Sequence, residues 1–339
     1  MKRRILKAIS LICACVMLLT LAACGEESQD NTGKYIVFKF GNDNIYLDEV
    51  YIYAQTTIDE YEKEYGSDIW GKTIETDGGI EMDVEEMARR EVISNIVQTK
   101  ALIAQADEYK ISLTEEEQAQ AEQEAEDFYN SLTDEQLKET ARVLQENALA
   151  KKIYDYVMSD SSAEVSDEQA RMTTFYDMFF ECYYEDDFGN IVVYSKDKIA
   201  EQKQKADEAY TSIKQQLSDN PNLNITFLGH TNNLRYAGSH TMSKDQILES
   251  YGQEVLDTLY NMQDGDISPV IETENGYHIF QMTYLTDEKA TATNKAELTK
   301  EANDAYFNNL LTNWVSKIDK DYTYSKSVNT DVYSMITFS

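Results

Sequence analysis

Histidine, cysteine and positive charge are all scarce in this chain of 339 residues. The three histidines, His230, His240 and His278, do not have the spacing of a zinc site, which argues against metal-assisted hydrolysis. Of the four cysteines, Cys13, Cys15 and Cys24 fall at the N-terminus, so Cys182 stands alone in the remainder and no internal disulfide can form there. Cys182 sits in the aromatic run Phe179-Phe180-Glu181-Cys182-Tyr183-Tyr184 and is read as a small packed strand residue. Thirty Lys and Arg face 62 Asp and Glu, a net charge of −32. Such a surface repels nucleic acid, envelope polyanions and anionic lipid. No G-x-S-x-G, Walker or Rossmann pattern occurs, and nothing implies a cofactor or a metal. The many Glu pairs at helical spacing are read as solvated faces.

What is present begins with an export signal. Lys2, Arg3, Arg4 and Lys7 form a basic start, and Ala8–Thr20 is an apolar run too short to span a membrane comfortably. Leu21-Ala22-Ala23-Cys24 resembles a bacterial lipobox, which implies a signal peptide over 1–24 with Cys24 diacylated as the mature N-terminus. The alternative is an ordinary signal peptide cut near Ala23. The first 23 residues hold four bases and no acid, so the remainder carries −36. Lipid, not charge, must then anchor the chain, and two acyl chains suffice where one binds weakly.

Residues 25–33 are short and polar, a tether. Tyr35–Phe40 predicts a strand turned at Gly41, and Ile45 with Leu47-Asp48-Glu49-Val50 predicts the start of a helix. Ser67–Asp83 reads as a loop. Helices follow over Glu85–Tyr109, after the capping boxes Thr114-Glu115-Glu116-Glu117 and Thr133-Asp134-Glu135-Gln136 (the latter running to Met158), and after Ser166. In the tail, Leu298, Ala302, Tyr306, Leu310, Leu311 and Trp314 predict a helix over Ala296–Ile318, followed by a strand Tyr322–Tyr324.

The most informative stretch is Met262–Met282. It predicts a turn on Asp264-Gly265-Asp266, a short strand ending at Pro269-Val270, a tight turn with positive φ on Asn275-Gly276, and a strand Tyr277–Met282. Alternation puts His278 on one face with Phe280 and Met282. From spacing alone, such a histidine is a satisfied sheet residue. A capping box of Ser243 and Gln246 predicts one amphipathic helix. That helix followed by Gly265-Asp266-Ile267-Ser268-Pro269-Val270 and Gly276-Tyr277-His278-Ile279 resembles the end of a parvulin-type peptidyl-prolyl isomerase domain. Leu234, Tyr236, Gly238 and Met242 match an earlier segment of that family, while two glycines, an aspartate and a third glycine of the pattern are missing. The order strand, helix, long helix, Ile111-Ser112-Leu113-Thr114-Glu115-Glu116 helix, helix and isomerase-like unit resembles the PrsA/SurA-like extracytoplasmic chaperones.

The resemblance implies an α+β protein. A mainly helical chaperone domain over 34–172 would be completed by 286–339, with a parvulin-like domain of small antiparallel sheet and flanking helices inserted over 173–285. It implies His278 in the floor of the site and Asp177 where the family usually keeps a histidine. Leu234, Tyr236 and Met242 would line the substrate pocket, with either Val255 or Tyr251 as a further wall and Thr273 or His230 as further polar groups. It implies unfolded or partly folded exported polypeptides as partners and leaves room for a homodimer. The location implied is the extracytoplasmic face of a bacterial, Gram-positive cell membrane, through lipid on Cys24. Two readings stay open: an isomerase, and a holdase whose parvulin-like domain is only a scaffold.

Overall fold

The computed structural model describes residues 29–30, 33–75, 81–128, 133–159, 164–220, 225 and 236–338. Cys24, His230 and Leu234, and much of the 25–33 tether, lie outside the described residues. Contacts divide the chain into two units: residues up to 161 together with 305–339, and residues 162–304.

The first unit opens with β1 (Ile36–Phe40) paired antiparallel to β2 (Asp43–Tyr46), then α1 (Leu47–Tyr65). Ile45 was expected in the helix. It is instead the buried residue of β2, and the helix starts where Asp48 and Glu49 can face the positive end of its dipole. The predicted loop over 67–83 contains a hairpin, β3 (Thr73–Glu75) with β4 (Glu81–Asp83). Asp83 then caps α2 (Val84–Ile103), accepting from the amides of Glu85 and Glu86. This helix stops short of the expected Tyr109. After Ala104 and Gln105 a separate turn, α3 (Ala106–Tyr109), closes on Lys110 in the left-handed conformation. α4 (Glu115–Phe128) and α5 (Asp134–Ser159) start at the predicted boxes. The Glu117 amide donates to Thr114 Oγ1 over 3.2 Å and the Thr114 amide to Glu117 Oε2 over 2.7 Å. Each such cap is worth about 1 kcal/mol, enough to fix where a helix begins.

The second unit starts with α6 (Asp167–Ala170), under the capping box of Ser166 and Gln169. It continues through β5 (Met172–Glu181), the hairpin β6 (Tyr183–Glu185) and β7 (Ile191–Val193), and α7 (Lys196–Asp219). Next come β8 (Tyr236–Ser243), α8 (Lys244–Tyr251), α9 (Gln253–Tyr260), β9 (Ile271–Thr273) and β10 (Gly276–Tyr284). The strands form an antiparallel sheet in the order β8-β5-β10-β9. Its two faces bury different cores. Met178, Phe180, Tyr277 and Ile279 pack with Ala206 and Ile213 of α7. Phe175, Phe280 and Met282 pack with Ile247, Val255, Leu256 and Leu259 of α8 and α9. The one helix expected after Ser243 is two, because Gly252 at φ 84° breaks it. Regular pairing of β9 begins at Ile271, beyond the expected Pro269-Val270, and Ile267 makes a single bridge to Gln281. The hairpin loop is Glu274-Asn275, without a positive φ at Asn275. Gly276 at φ 151° lies so close to the Phe180 carbonyl that a Cβ would overlap it.

α10 (Glu288–Ile318) starts ahead of the expected Ala296, since Asp287 Oδ1 accepts from the Ala290 amide. Its residues from 305 onward belong to the first unit. α11 (Tyr324–Ser327) and α12 (Thr330–Tyr333) end the chain. The strand expected at Tyr322–Tyr324 does not form. The Thr323 carbonyl closes a helical turn on the amides of Lys326 and Ser327, and the Tyr322 ring packs 5.4 Å from Phe40. The bridge to β1 comes later, where Val328 pairs with Phe38 and the Asn329 amide donates to the Val37 carbonyl. Val328, Val332, Tyr333, Ile336 and Phe338 share one core with β1, α1 and α2, while Phe307 and Trp314 share another with Leu102, Ile153 and Val157. The architecture is α+β: a helical unit assembled from both parts of the chain and an inserted sheet-containing unit. Among the described residues no helix is long and apolar enough to cross a membrane.

Candidate active site

Strand pairing decides which side chains meet, since directly opposed residues point to the same face. Across β5, Phe179 lies opposite His278 and Tyr236, Asp177 opposite Phe280 and Gly238, Phe175 opposite Met282 and His240, and Thr173 opposite Met242. On the other edge Ile271 lies opposite His278. One sheet face therefore collects His278, Asp177, His240 and Met242 among aromatic rings.

His278 Nδ1 lies 3.0 Å from Asp177 Oδ1 and 3.1 Å from Oδ2. The Tyr251 hydroxyl donates to Asp177 Oδ2 over 3.4 Å. Burial, reinforced by the Asp177 carboxylate, pushes the Tyr251 phenol far above its ordinary range, so Tyr251 remains a proton donor. An ionised carboxylate can only accept, so Nδ1 is the ring nitrogen that carries a proton in this contact. The imidazole is stacked on Phe179, at 4.4 Å between centroids, and on Phe280, at 5.4 Å, with Tyr251 edge-on at 5.5 Å. His278 and Asp177 are each only 6% exposed. A charge-assisted bond inside such an aromatic box is stronger than in water, and it holds the ring in one orientation.

The other expected residues fall at different depths. Met242 is half-buried on β8, against the core that contains Phe175 and Ile247. Val255 is fully buried in that same core and presents no surface, whereas Tyr251 reaches Asp177. Of the two alternatives for the further wall, only Tyr251 touches the polar pair. Thr273 donates its hydroxyl to the Gly276 carbonyl, which commits it to the hairpin. Tyr236 begins β8 opposite Phe179. Sequence reasoning did not single out His240, whose ring lies 5.7 Å from Phe175 and 6.4 Å from Tyr251. Its parity with Met242 on one strand was the available signal. Gly238, opposite Asp177, keeps that rung free of a side chain, and a Cβ there would stand 3.6 Å from His240 Nε2. Among the described residues no His, Cys, Asp and Glu cluster is disposed to hold a metal ion.

Two family models match the chain. Residues 1–163 match the SurA-like N-terminal domain, and residues 191–284 match the PPIC-type PPIASE domain. Together the two matches are those of a PrsA-like parvulin foldase, and the enzyme class that the parvulin-type domain defines is peptidyl-prolyl cis-trans isomerase. Among curated proteins it is similar to the foldase protein PrsA of two Clostridium perfringens strains, 24% identical over 289 residues, covering 78% of this chain and 78% of each relative. Among solved structures it is similar to foldase protein PrsA from Lactococcus lactis, at 13% identity and a TM-score of 0.28, over 88% of this chain and 98% of that one. PrsA from Bacillus subtilis matches at 15% identity and a TM-score of 0.23, over 74% of this chain and 91% of that one. The isomerase match begins after β5, yet β5 is an interior strand of the sheet and brings Asp177 to His278.

Proposed function

We propose that this chain is an extracytoplasmic foldase held at a bacterial membrane by lipid on Cys24, acting on unfolded or partly folded exported polypeptides, with weak but real prolyl isomerase turnover. The PrsA relatives and the lipobox-like Leu21–Cys24 support the location. An Xaa-Pro bond must lose amide resonance to rotate, over a barrier of roughly 18–20 kcal/mol. A site lowers it by gripping the proline ring and by interactions that strengthen as the amide twists. Met242 and Tyr251, with Leu234 and Tyr236, are the side chains assigned to the grip. His278, oriented by Asp177, is the polar group at the twisting amide.

The observation that carries this reading is the His278–Asp177–Tyr251 network, a donor and acceptor set fixed before substrate arrives. The burial of His278 favours a second reading, in which the domain is a scaffold and the helical unit alone holds clients. Isomerisation of a proline peptide panel, run beside suppression of client aggregation, separates them. Acceleration over buffer that falls in His278→Ala, with aggregation suppression unchanged, supports the isomerase. No acceleration by the wild-type protein, with suppression intact, decides for the scaffold. Anchoring is tested separately: Cys24→Ser should leave the membrane fraction, and full processing with unchanged membrane retention would remove the lipid anchor from the proposal.

A further inference from the structure

The β6–β7 hairpin presents apolar side chains to water although its backbone is thoroughly organised. Phe188 at its tip is 90% exposed, Ile191 62% and Val193 68%. A two-stranded hairpin is marginal on its own, and this one is held at both ends. At its base the Cys182 amide donates to the Asn275 carbonyl and the Tyr194 amide to the Cys182 carbonyl, while Tyr184 and Tyr194 stack at 5.8 Å. At its tip Asp186 Oδ1 accepts from the amides of Phe188 and Asn190, and Gly189 takes φ 81°. The exposed residues are therefore displayed by a built structure.

Register shows where the display leads. Val193 lies opposite Tyr183 and Ile191 opposite Glu185, so these four side chains share one face. The Tyr183 ring is 6.4 Å from Phe179, and Phe179 is the ring stacked on His278. An aromatic path thus runs from the polar pair at the floor of the site out to Val193, Ile191 and Phe188. Its first leg, from His278 to Tyr183, is on the order of 10 Å, about three residues of extended chain, and Ile191 lies two strand residues further out. Acids lie beside the apolar residues: Glu185 on the same face and Asp187 next to Phe188, both exposed.

We propose that this hairpin is an extension of the substrate site. It docks an extended client segment with aromatic or aliphatic residues and neighbouring lysine or arginine, about three to six positions from the proline. The proposal rests on the isomerase site assigned above. The apolar side chains of the client cover Phe188, Ile191 and Val193, and its cations meet Glu185 and Asp187. Affinity for longer clients then exceeds what the proline pocket alone provides, because the two contacts act on one chain.

The test uses the full chain and two dye-labelled peptides, read by fluorescence anisotropy. One is a four-residue peptide centred on Ala-Pro; the other carries Phe-Lys-Leu-Lys-Phe placed three residues from the same Ala-Pro. Wild-type protein should bind the longer peptide about tenfold more tightly. In a triple variant, Phe188→Ser with Ile191→Thr and Val193→Thr, the two peptides should bind alike. A single Glu185→Lys change, which leaves Phe188, Ile191 and Val193 in place, should cut the preference about threefold and make it less salt-dependent. An undiminished preference in both variants overturns the hairpin assignment. Isomerase failure is separable: a protein that binds the longer peptide through the hairpin but turns over neither peptide sinks the catalytic reading and leaves this one standing.

Discussion

Asp177 offers both carboxylate oxygens to a single nitrogen of His278, at 3.0 and 3.1 Å, from the neighbouring strand of the same sheet. Neither residue has water to fall back on, since both are 6% exposed. Removing the carboxylate therefore leaves a buried N–H without its acceptor, at a cost of about 1–3 kcal/mol. Asp177→Ala should lower the unfolding free energy by that amount. It should also reduce isomerase kcat/KM at least tenfold, because the imidazole loses the partner that orients it. Denaturant unfolding and peptide turnover on the same preparation check both; a stable, fully active Asp177→Ala would detach the pair from catalysis.

Met242→Ala addresses the grip rather than the polar floor. Met242 is half-buried beside Phe175 and Ile247, so truncation creates a partly collapsible gap and costs about 1–3 kcal/mol of stability. Turnover should fall severalfold through weaker hold on the proline ring. Suppression of client aggregation, assigned to the helical unit, should not change. A parallel loss of both activities would show that the substitution had damaged the whole protein.

Arg89 clasps the end of the chain. Its guanidinium donates to the carbonyls of Tyr333 and Ile336 and lies 5.0 Å and 4.7 Å over the rings of Tyr333 and Phe338, while Tyr333 donates its hydroxyl to the Arg89 carbonyl. Arg89→Ala should destabilise the helical unit by about 2–4 kcal/mol, the scale of lost charged hydrogen bonds plus a cation–π contact. Arg89→Lys should recover little, lacking the planar fork that reaches two carbonyls. Deleting residues 319–339 should go further and cause aggregation, by uncovering the core around Phe38 and Ile93. A monomeric truncation with unchanged melting would contradict this.

Glu49 makes a pH prediction. It is buried between Lys100, at 2.9 Å, and Arg142, at 2.8 Å, where α1, α2 and α5 meet. Desolvation outweighs both cations and raises its pKa above the ordinary 4.5. A carboxyl with a raised folded-state pKa holds its proton more tightly in the native chain. Its contribution is thus largest below 4.5 and declines as pH climbs through the raised value. Relative to Glu49→Gln, which cannot titrate, the wild-type protein should gain stability as the solution is acidified from neutrality towards that range. Melting curves of both proteins across this interval test the direction, and parallel curves would reject it.

What the sequence revealed tracks how local each signal is. The boxes at Thr114, Thr133, Ser166 and Ser243 need only neighbours three residues apart, and the helices start there. The alternation that set His278 beside Phe280 and Met282 is likewise local, and Phe280 and Met282 pack in one core while Tyr277 and Ile279 pack in the other. The Asp177–His278 pairing was reachable because resemblance to the parvulin family put both strands side by side. His240 was harder to find, since its relevance depends on pairing with Phe175 far away in the sequence. The strand expected at Tyr322–Tyr324 failed for the same reason: its aromatic alternation served core packing against Phe38 and Phe40, and the bridge to β1 fell to Val328. The short hairpins β3–β4 and β6–β7 left too few residues to establish a period.

The helical unit draws on both ends of its described chain, whereas every strand of the four-stranded sheet lies between Met172 and Tyr284. A polypeptide that emerges N-terminus first therefore delivers the whole sheet before it delivers the cover for Phe38, Ile93 and Ile96. The unit that begins first is finished last. During that interval its apolar surfaces await Tyr333 and Phe338, and the protein is briefly in the same condition as the clients proposed for it. Its own maturation thus has a built-in vectorial order, with the inserted unit able to fold during the wait and the final residues acting as the closing step.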